Sequence, residues 1–361
     1  MKKILITGGP VHGKLDDVKM ITNRFKGGLI AKLADELAET EHVIYLTARG
    51  AKLPKNDNIE VLYHDGIFDY QDIVLRLAPE VDAVILGGAV ANLVPQEPIK
   101  GKFPSHNYKE GDVINIPFVI APRIIDKVKQ VAPKVHLFGF KLLSNVEHEE
   151  LIEAAYGVVM ESKATCIFAN DTSDLNKKYA VTKEHSVIEL TTDNYADFIK
   201  SAIYDDYYRT MVDVDEVHVP HETITKFNNL KDLYKPFFEK VYANKYKFGT
   251  IAMKMPNGKI LTTGRGKREM DELSVIDYVD FTNRVVYAIG KKSTLNAGLL
   301  AYLFSTNPNL EYIVHYHEDC ENLIHLPYAF PGTDRDCIRE VHESFVIDGH
   351  GTFILGFKKE K

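Results

Sequence analysis

Short runs of β-branched and apolar residues alternate with helical stretches through the first half of the chain. This alternation constrains the fold strongly, because strands joined by helical crossovers pair in parallel and the helices cover both faces of the sheet. The predicted strands are Lys3–Thr7, Val43–Thr47, Ile59–Tyr63, Ala83–Leu86, Val135–Phe140 and Thr165–Ala169. The predicted helices are Gly28–Glu39, Tyr70–Leu77, Pro122–Val131 and Glu147–Ser162. We therefore expect a three-layer α/β domain that binds its ligands at the carboxyl ends of its strands.

A different pattern follows in the second half. Helical stretches at Ala196–Tyr208 and Leu230–Tyr242 come first, and two alternating runs at Thr250–Met255 and Ile260–Thr263 then flank an Asn-Gly turn. An Asn-Gly turn between such runs is a strong signal for a β-hairpin. The second half is therefore expected to contain antiparallel strands.

The change of pattern between residues 191 and 215 marks a domain boundary. We predict a Rossmann-like domain with a mostly parallel sheet over residues 1–192, and a second α/β domain with a central antiparallel sheet over residues 193–361. Inside the first domain, the stretch between Val90 and Ile116 is long, polar and rich in proline and lysine. Because loops of this length in a compact domain are usually functional, we interpret it as a mobile lid.

The composition is that of an ordinary globular protein, with 45% hydrophobic and 26% charged residues among 361. The net charge of −7 provides no field that attracts nucleic acid. The amino terminus lacks the apolar core of a secretion signal, and no apolar run reaches the length of a membrane span. Three cysteines without paired spacing suit a reducing compartment. We expect a cytoplasmic protein that binds small molecules and neither nucleic acid nor a membrane.

Glycines follow the first predicted strand and open the first predicted helix. Gly8 and Gly9 end the strand, Gly27 and Gly28 begin the helix, and Asn23 lies between them. Glycine lets the backbone approach a phosphate, and the free N–H groups of a helix N-terminus favour an anion. These residues predict a site for a nucleotide phosphate. The alternative is a plain strand-to-loop turn, since the strict Gly-x-Gly-x-x-Gly fingerprint is absent.

Ordered motifs in this half resemble the phosphopantothenate-cysteine ligase family. The motifs are Ile4–Pro10, Leu15–Asn23, Gly27–Gly28, Leu33–Asp35, Gly88–Ala91, Gly139–Lys141 and Ile167–Asp171. The resemblance implies a ligase that uses CTP or ATP with Mg²⁺ to activate the carboxylate of phosphopantothenate as an acyl-nucleotide, and then couples it to cysteine. It also implies that Ala89, Phe140 and Lys141 contact the nucleotide.

The same resemblance implies catalytic roles. It places Asn170 against the acyl-nucleotide, where an amide donates to an oxyanion without adding charge. Lys100 or Lys102 corresponds to the family's mobile lysine, which clamps phosphate charge. The alternatives are a turn-capping Asn and solvated loop lysines. The chain departs from the family at Asn92, where relatives usually carry an acidic residue.

Three histidines, His315, His317 and His350, form the main chemical signal of the second half. Residues i and i+2 of a strand face the same side, so His315 and His317 can form one side of a metal site that His350 completes from another strand. Zn²⁺ or another divalent cation is the predicted ligand. The alternative is that the histidines are structural. His325 and His342 are weaker candidates.

Motifs around these histidines resemble the class II aldolase/adducin family. They are Phe248–Lys254, Lys259–Gly266, Asp277–Phe281, Lys292–Thr294, Asn307–Pro308, Pro331–Thr333 and His350–Gly351. The resemblance implies that the three histidines hold a metal that polarises a substrate carbonyl. It further implies that Arg265, Gly266, Ser293 and Thr294 grip the phosphate of a sugar phosphate, whereas ordinary turn chemistry is the alternative for these four.

One catalytic residue of that family is missing. Catalytic relatives carry a Glu where this chain has Leu295 and Asn296. Glu318 is not a direct replacement, because adjacent strand residues face opposite sides. The usual carbon–carbon cleavage is therefore not expected, although a metal site is. We also expect the aldolase-like domain to end soon after His350, without the helices that follow in catalytic relatives.

Three hypotheses result. The leading one is a nucleotide-dependent ligase that joins an acid to an amine, acting on small molecules as a homo-oligomer. The second is a metal-dependent lyase, epimerase or dehydratase that acts on a sugar phosphate at the histidines. The third is a non-catalytic scaffold with an aldolase-like domain.

Overall fold

The computed structural model describes residues 1–216, 218–240 and 245–358. The chain divides into two compact units. The first unit comprises Met1–Val146, Val158–Lys178 and Leu190–Ile199. The second unit comprises Glu147–Gly157, Tyr179–Glu189 and Lys200–Lys361. Two short segments that precede residue 192 thus group with the second unit, whereas the sequence predicted a single division at that point.

The amino-terminal elements alternate between strands and helices. The strands are β1 Lys3–Gly8, β2 Pro10–Val11, β3 Gly13–Lys14, β4 Met20–Ile21, β5 His42–Ala48, β6 Glu60–His64, β7 Ala83–Leu86, β8 Ala89–Val90, β9 Leu93–Pro95, β10 Phe118–Ile120, β11 His136–Leu143, β12 Cys166–Asp171, β13 Asp174–Thr182 and β14 Val187–Leu190. The helices are α1 Gly28–Ala38, α2 Ile67–Leu77, α3 Ile125–Val131, α4 His148–Ser162 and α5 Tyr195–Tyr204, with 3₁₀ turns at Ala78–Glu80 and Ser105–Asn107.

Eight of these strands form one sheet, in the order β14-β13-β12-β11-β7-β1-β5-β6. Every neighbouring pair from β12 to β6 is parallel. Strand β1 buries Ile4, Leu5 and Ile6 completely, as expected of a central strand that is covered on both faces. The predicted mostly parallel α/β sheet is confirmed.

The predicted elements of this half are present with small shifts of their ends. The six predicted strands are β1, β5, β6, β7, β11 and β12, and the four predicted helices are α1 to α4. Helix α1 buries Ile30, Leu33, Ala34 and Leu37, which recur every three to four residues along one face. The sequence reading missed the antiparallel pair of β9 and β10, which lies at either end of the predicted lid.

The carboxyl-terminal elements form the second unit's own sheet. Its strands are β15 Arg209–Asp213, β16 Thr250–Lys254, β17 Ile260–Thr263, β18 Leu273–Asp280, β19 Val285–Ile289, β20 Leu310–Tyr316, β21 Ile324–Leu326, β22 Phe345–Ile347 and β23 Gly351–Phe357. Its helices are α6 His221–Leu233, α7 Lys235–Phe238, α8 Ala297–Thr306 and α9 Asp334–Cys337. The strand order is β15-β19-β18-β17-β16-β20-β23-β22-β21.

The interior of this sheet is antiparallel, as predicted, and both edge pairs are parallel. In the sheet order from β19 through β18, β17, β16, β20 and β23 to β22, each pair of adjacent strands is antiparallel. At the two edges, β15 pairs parallel with β19 and β21 pairs parallel with β22. The predicted hairpin joins β16 and β17, where the Met255 N–H donates to the Lys259 carbonyl at 2.9 Å. Gly258 adopts φ 85° in this turn, a conformation that favours glycine.

Two helix predictions need correction. The helix predicted over Leu230–Tyr242 is wrong where the structure describes it, because α6 ends at Leu233 and the short α7 follows. Pro236 lies in the first turn of α7, where its missing N–H interrupts a continuous helix. Residues 241 and 242 of that prediction lie outside the described residues. The helix predicted over Ala196–Tyr208 ends earlier, at Tyr204.

Among the described residues, no helix combines the length and the apolar character that crossing a bilayer requires.

Leu303 provides a test of the second unit's core. This α8 side chain is fully buried, so Leu303→Ala is expected to lower the free energy of unfolding by about 2–5 kcal/mol through lost burial and a residual cavity. Leu233→Ala is the matched control, because Leu233 is 68% exposed and its truncation should change stability by less than about 0.5 kcal/mol. Denaturant unfolding followed by circular dichroism measures both. Equal losses in the two variants would contradict the position of α8.

Candidate functional site

The predicted glycine turns meet at the carboxyl end of β1. A Cβ atom added at Gly27 would lie 2.3 Å from the backbone nitrogen of Gly9, so the two turns are in close contact. Gly9 has φ 76° and Gly27 has φ 81°. Gly28 begins α1, and a Cβ atom there would meet nothing within 4 Å. The structure therefore brings Gly8, Gly9, Gly27 and the first N–H groups of α1 to one edge of the parallel sheet.

Other predicted nucleotide residues border the same edge. The Asn23 amide donates to the Val90 carbonyl at 2.9 Å, and the Ala89 N–H donates to the Gly9 carbonyl at 2.8 Å. Phe140 and Lys141 lie in β11, where Lys141 is in register with Ala169 of β12. Ala89 thus contacts the Gly9 turn and Asn23 contacts β8, whereas Phe140 and Lys141 lie in β11 of the eight-stranded sheet.

Asn170 lies one residue before the end of β12 and is buried. Its amide nitrogen donates to the Lys177 carbonyl at 3.3 Å. An Asn amide has two N–H donors and a carbonyl acceptor, so this single bond leaves further hydrogen-bonding capacity. This hydrogen bond thus positions the Asn170 side chain and leaves one of its N–H donors available for a ligand.

The segment that carries Lys100 and Lys102 is anchored by two aspartates that the sequence reading did not single out. The Asp16 carboxylate accepts hydrogen bonds from Val18 and Phe103, and Asp17 exchanges hydrogen bonds with Gly101. The N–H donors, led by that of Phe103, hold the pKa of Asp16 well below its ordinary value. Both lysine side chains are exposed. The predicted mobility of this lid stays a prediction.

A pair of histidines near this edge was also missed. The rings of His12 and His64 have centroids 6.3 Å apart, and His64 packs edge-on against Tyr70 at 5.2 Å. Tyr70 in turn hydrogen-bonds Thr7 of β1 at 2.8 Å. Burial lowers the pKa of His64 to about 4, with His12 contributing in the same direction. No motif marks these histidines, because they are 52 residues apart in sequence, with His12 between β2 and β3 and His64 at the end of β6.

The three predicted metal histidines converge in the second unit. His315, His317 and His350 each offer one ligand atom, and these atoms lie within 4.8 Å of one another. The ring centroids are 5.0 Å apart for His315 and His317, and 4.7 Å apart for His315 and His350. The sequence prediction that they share one site therefore agrees with the geometry.

The strand assignment behind that prediction needs correction. His315 lies in β20, but His317 comes one residue after the strand ends, and His350 comes one residue before β23 begins. Gly351 makes the second arrangement possible. It has φ 123°, and a Cβ atom there would lie 2.1 Å from the Tyr316 carbonyl oxygen. Glycine therefore lets the His350 turn approach the end of β20.

The hydrogen bonds of the histidines leave nitrogen lone pairs free. His315 Nδ1 lies 3.0 Å from the Thr352 carbonyl oxygen, so it carries the proton and donates. His350 Nδ1 lies 2.9 Å from Ser186 Oγ. His315 Nε2, His317 Nδ1 and His350 Nε2 are buried without a partner among the described residues. Buried polar atoms normally have partners, so these nitrogens fit a bound cation.

Burial also keeps the three rings neutral. It lowers the pKa of His315 to about 3. It holds the pKa values of His317 and His350 well below the ordinary histidine value, and the neighbouring rings contribute in the same direction. A neutral imidazole is the form that binds a metal. The protonation state and the geometry therefore agree, and the three residues fit a divalent cation such as Zn²⁺.

A cavity of about 370 Å³ adjoins these histidines, and all its lining residues belong to the second unit. Its titratable lining residues include Glu153, His185, Lys240, His317, Asp319 and His350. His185 Nε2 lies 3.1 Å from Glu153 Oε1. Burial lowers the pKa of His185, and Glu153 opposes that shift. His185 also adopts φ 60°, a conformation that is uncommon for a residue with a side chain.

The four residues predicted to bind a phosphate are also brought together. Arg265 Nε donates to the Ser293 carbonyl at 3.0 Å. Thr294 Oγ1 lies 3.1 Å from Thr250 Oγ1, and Thr250 is in register with His315. The Ser293 hydroxyl is buried without a partner among the described residues. Gly266 follows Arg265 with φ 65°. Phosphate binding by this group stays a prediction.

Comparison with known proteins identifies the class of the first part of the chain. Residues 1–202 match the family model of the DNA/pantothenate metabolism flavoprotein C-terminal domain. The match extends over more than half of the chain, so the chain belongs to this family.

Individual relatives are more distant. The coenzyme A biosynthesis bifunctional protein CoaBC of Thermococcus kodakarensis is 26% identical over 171 residues, which are 47% of this chain and 41% of that protein. The chain thus spans less than half the length of this curated relative. The solved structure of the DNA/pantothenate metabolism flavoprotein from Streptococcus pneumoniae is 22% identical with a TM-score of 0.50, and the likeness covers 56% of this chain and 98% of that one. It shows a shared fold.

An aldolase is also among the similar solved structures. L-fuculose 1-phosphate aldolase is 11% identical with a TM-score of 0.29, and the likeness covers 39% of this chain and 78% of that chain.

The buried His64 predicts a pH dependence of stability. Its pKa is about 4 in the folded protein against 6.5 for an ordinary histidine. As the pH falls below 6.5, the unfolded chain binds a proton that the folded chain does not, so this residue lowers stability by up to about 1.4 kcal/mol per pH unit. His64→Gln should reduce the slope of stability against pH between 6.5 and 4.

The measurement is denaturant unfolding at several pH values across that window. His106→Gln is the control, because His106 is an exposed histidine of the same unit. The control should keep the slope of the unsubstituted protein. An unchanged slope in His64→Gln would show that the folded His64 titrates as an ordinary histidine does.

Proposed function

We propose that the protein is a nucleotide-dependent ligase that joins an acid to an amine, as phosphopantothenate-cysteine ligase does. The observation that supports this best is the family match over residues 1–202, within which the glycine turns meet at the carboxyl end of a parallel sheet. Ligands of such sheets bind at that edge. The name of the curated relative, a coenzyme A biosynthesis protein, agrees with a phosphorylated acid as the substrate.

The proposed reaction has two steps. A carboxylate oxygen of the acid attacks the α-phosphorus of CTP or ATP, the bond to pyrophosphate breaks, and an acyl-nucleotide forms. The amine nitrogen then attacks the acyl carbon, loses a proton, and displaces the nucleoside monophosphate as the amide forms. Mg²⁺ bound to the nucleotide neutralises charge on its phosphates.

The residues of the first unit have separate roles in this proposal. Gly8, Gly9 and Gly27 let the backbone approach the nucleotide phosphates, and the N–H groups at the start of α1 face negative charge. The Asn170 amide donates to the oxygen of the acyl-nucleotide. Lys100 or Lys102 adds positive charge from the segment that Asp16 and Asp17 anchor.

The decisive experiment mixes the protein with cysteine, phosphopantothenate and either CTP or ATP, and measures pyrophosphate release. We expect release that depends on both nucleotide and acid. Asn170→Ala should lower the turnover number by roughly 10²–10³-fold, as the loss of one oxyanion donor does elsewhere. Asn176→Ala is the matched control, because Asn176 is an exposed asparagine a few residues further along the chain.

Two outcomes would count against this proposal in different ways. No pyrophosphate release with either nucleotide would remove the substrate assignment. Release by Asn170→Ala at the rate of the unsubstituted protein would remove the role of Asn170 but leave the ligase proposal in place.

The second unit supports a further function, metal-dependent chemistry on a small molecule. Three neutral imidazoles, each with a buried nitrogen that has no partner among the described residues, favour this over a non-catalytic scaffold. A divalent cation held by His315, His317 and His350 would polarise a carbonyl group of a ligand in the adjacent cavity. Arg265 and Ser293 suit the phosphate of a sugar phosphate, and a lyase, epimerase or dehydratase is the matching reaction class.

Metal content tests this second function directly. Protein reconstituted with Zn²⁺ and freed of excess metal should contain about one zinc per chain, because three imidazoles and an open position suit this ion. His315→Ala should lose the zinc, since two imidazoles rarely suffice. His325→Ala is the control, because His325 instead pairs with Asp348 at 2.7 Å. Mass spectrometry of the metals measures the content. Equal zinc in His315→Ala and the unsubstituted protein would remove the ligand assignment.

A further inference from the structure

Ser186 lies in the turn between β13 and β14 and is fully buried. Its backbone N–H donates to Thr182 Oγ1 at 3.2 Å, which closes the turn around it. In sequence it lies within residues 1–202, which match the family model of the DNA/pantothenate metabolism flavoprotein C-terminal domain. In the structure, however, the segment Tyr179–Glu189 groups with the second unit. A segment of the sequence that matches the family model is thus part of the second unit.

This segment contacts the turn that carries His350 at two successive residues. Ser186 Oγ lies 2.9 Å from His350 Nδ1. The Val187 N–H donates to the Gly349 carbonyl at 2.7 Å. A Cβ atom at Gly349 would lie 2.5 Å from the Val187 carbonyl oxygen, so the two backbones are in close contact. The ring of His350 and the backbone of the preceding Gly349 are therefore both held by residues from the other half of the sequence.

The direction of the hydrogen bond between Ser186 and His350 sets which nitrogen of His350 is free, because a serine hydroxyl can either donate to Nδ1 or accept from it. A neutral imidazole carries one proton, and the nitrogen without it binds a cation. When Ser186 Oγ accepts from Nδ1, the lone pair lies on Nε2, which is buried without a partner among the residues described. His315 shows the same arrangement, with Nδ1 donating to Thr352 and Nε2 free. With Ser186 Oγ as the acceptor, His315 and His350 therefore offer the same nitrogen, Nε2.

We propose that Ser186 is a positioning residue of the three-histidine site, which holds His350 in the tautomer and orientation that bind a cation. This inference rests on the proposed metal binding and extends it. The site is then built from both halves of the sequence, and the family-matched half contributes to the chemistry of the second unit.

Substitution of Ser186 tests the proposal. Partners that orient a metal-binding histidine typically change metal affinity by about 10–100-fold when they are removed. We therefore expect Ser186→Ala in the full-length chain to bind Co²⁺ and Zn²⁺ about 10–100-fold more weakly. Ser274→Ala is the matched control, because Ser274 is also a fully buried serine of the second unit, and it donates to the Lys291 carbonyl at 2.7 Å. It should keep the affinity of the unsubstituted protein.

A second readout separates positioning from general destabilisation. The ¹⁵N chemical shifts of the His350 ring report which nitrogen carries the proton. In metal-free, unsubstituted protein we expect the Nδ1–H tautomer, and in Ser186→Ala a mixture of both tautomers. The visible spectrum of bound Co²⁺ should keep its tetrahedral bands in Ser274→Ala and change in Ser186→Ala.

The outcomes distinguish this proposal from the one on which it rests. If the unsubstituted protein binds neither metal, the metal function fails, while the His350 tautomer still reports whether Ser186 sets it. Unchanged affinity together with an unchanged tautomer in Ser186→Ala would overturn the positioning role. If Ser186→Ala does not fold, the tautomer of the unsubstituted protein decides, because an Nε2–H ring excludes the proposed arrangement.

Discussion

Antiparallel pairing of β20 with β16 and β23 fixes the chemistry of the second unit. In this register His315 lies between Thr250 and Phe353, and its Nδ1 meets the Thr352 carbonyl. The chain leaves β20 just before His317 and returns at His350 through a close approach that only glycine permits at residue 351. Burial of three nitrogens without partners costs free energy. A bound cation removes this cost, so the strand pairing and the proposed metal site support each other.

The sequence was sufficient to predict the parallel sheet because its strands are covered on both faces. Such strands read as continuous apolar runs between helical stretches, as Ala83–Leu86 does. The pair β9 and β10 escaped prediction for the opposite reason. Leu93–Pro95 contains a proline, and the three residues of β10 are all exposed. Each segment is only three residues long, which is too short to show the alternation that marks a strand.

The histidine site was predictable only in part. His315 and His317 are close in sequence, and their spacing alone suggested a shared face, although His317 lies beyond the strand. The contact between Ser186 and His350 joins residues 164 positions apart, and no motif marks either Ser186 or His185. In the sequence, Ser186 simply follows His185 in a predicted loop, and such a pair does not indicate a particular function. The proposed role of Ser186 follows only from the structure, in which the turn between β13 and β14 contacts the turn that carries His350.

The residues that line the cavity, more than the motif at positions 295 and 296, determine whether a general base is present at the histidine site. By the resemblance to class II aldolases, Leu295 and Asn296 occupy the position of a catalytic Glu, and the sequence therefore predicted no carbon–carbon cleavage by the usual route. The cavity nevertheless contains a carboxylate, because Glu153 of α4 pairs with His185 beside the histidines. A base needs to reach the ligand and does not need a particular position in the chain. Residues 295 and 296 therefore bear only on the route that the resemblance implies, whereas Glu153 is a carboxylate that lines the cavity itself.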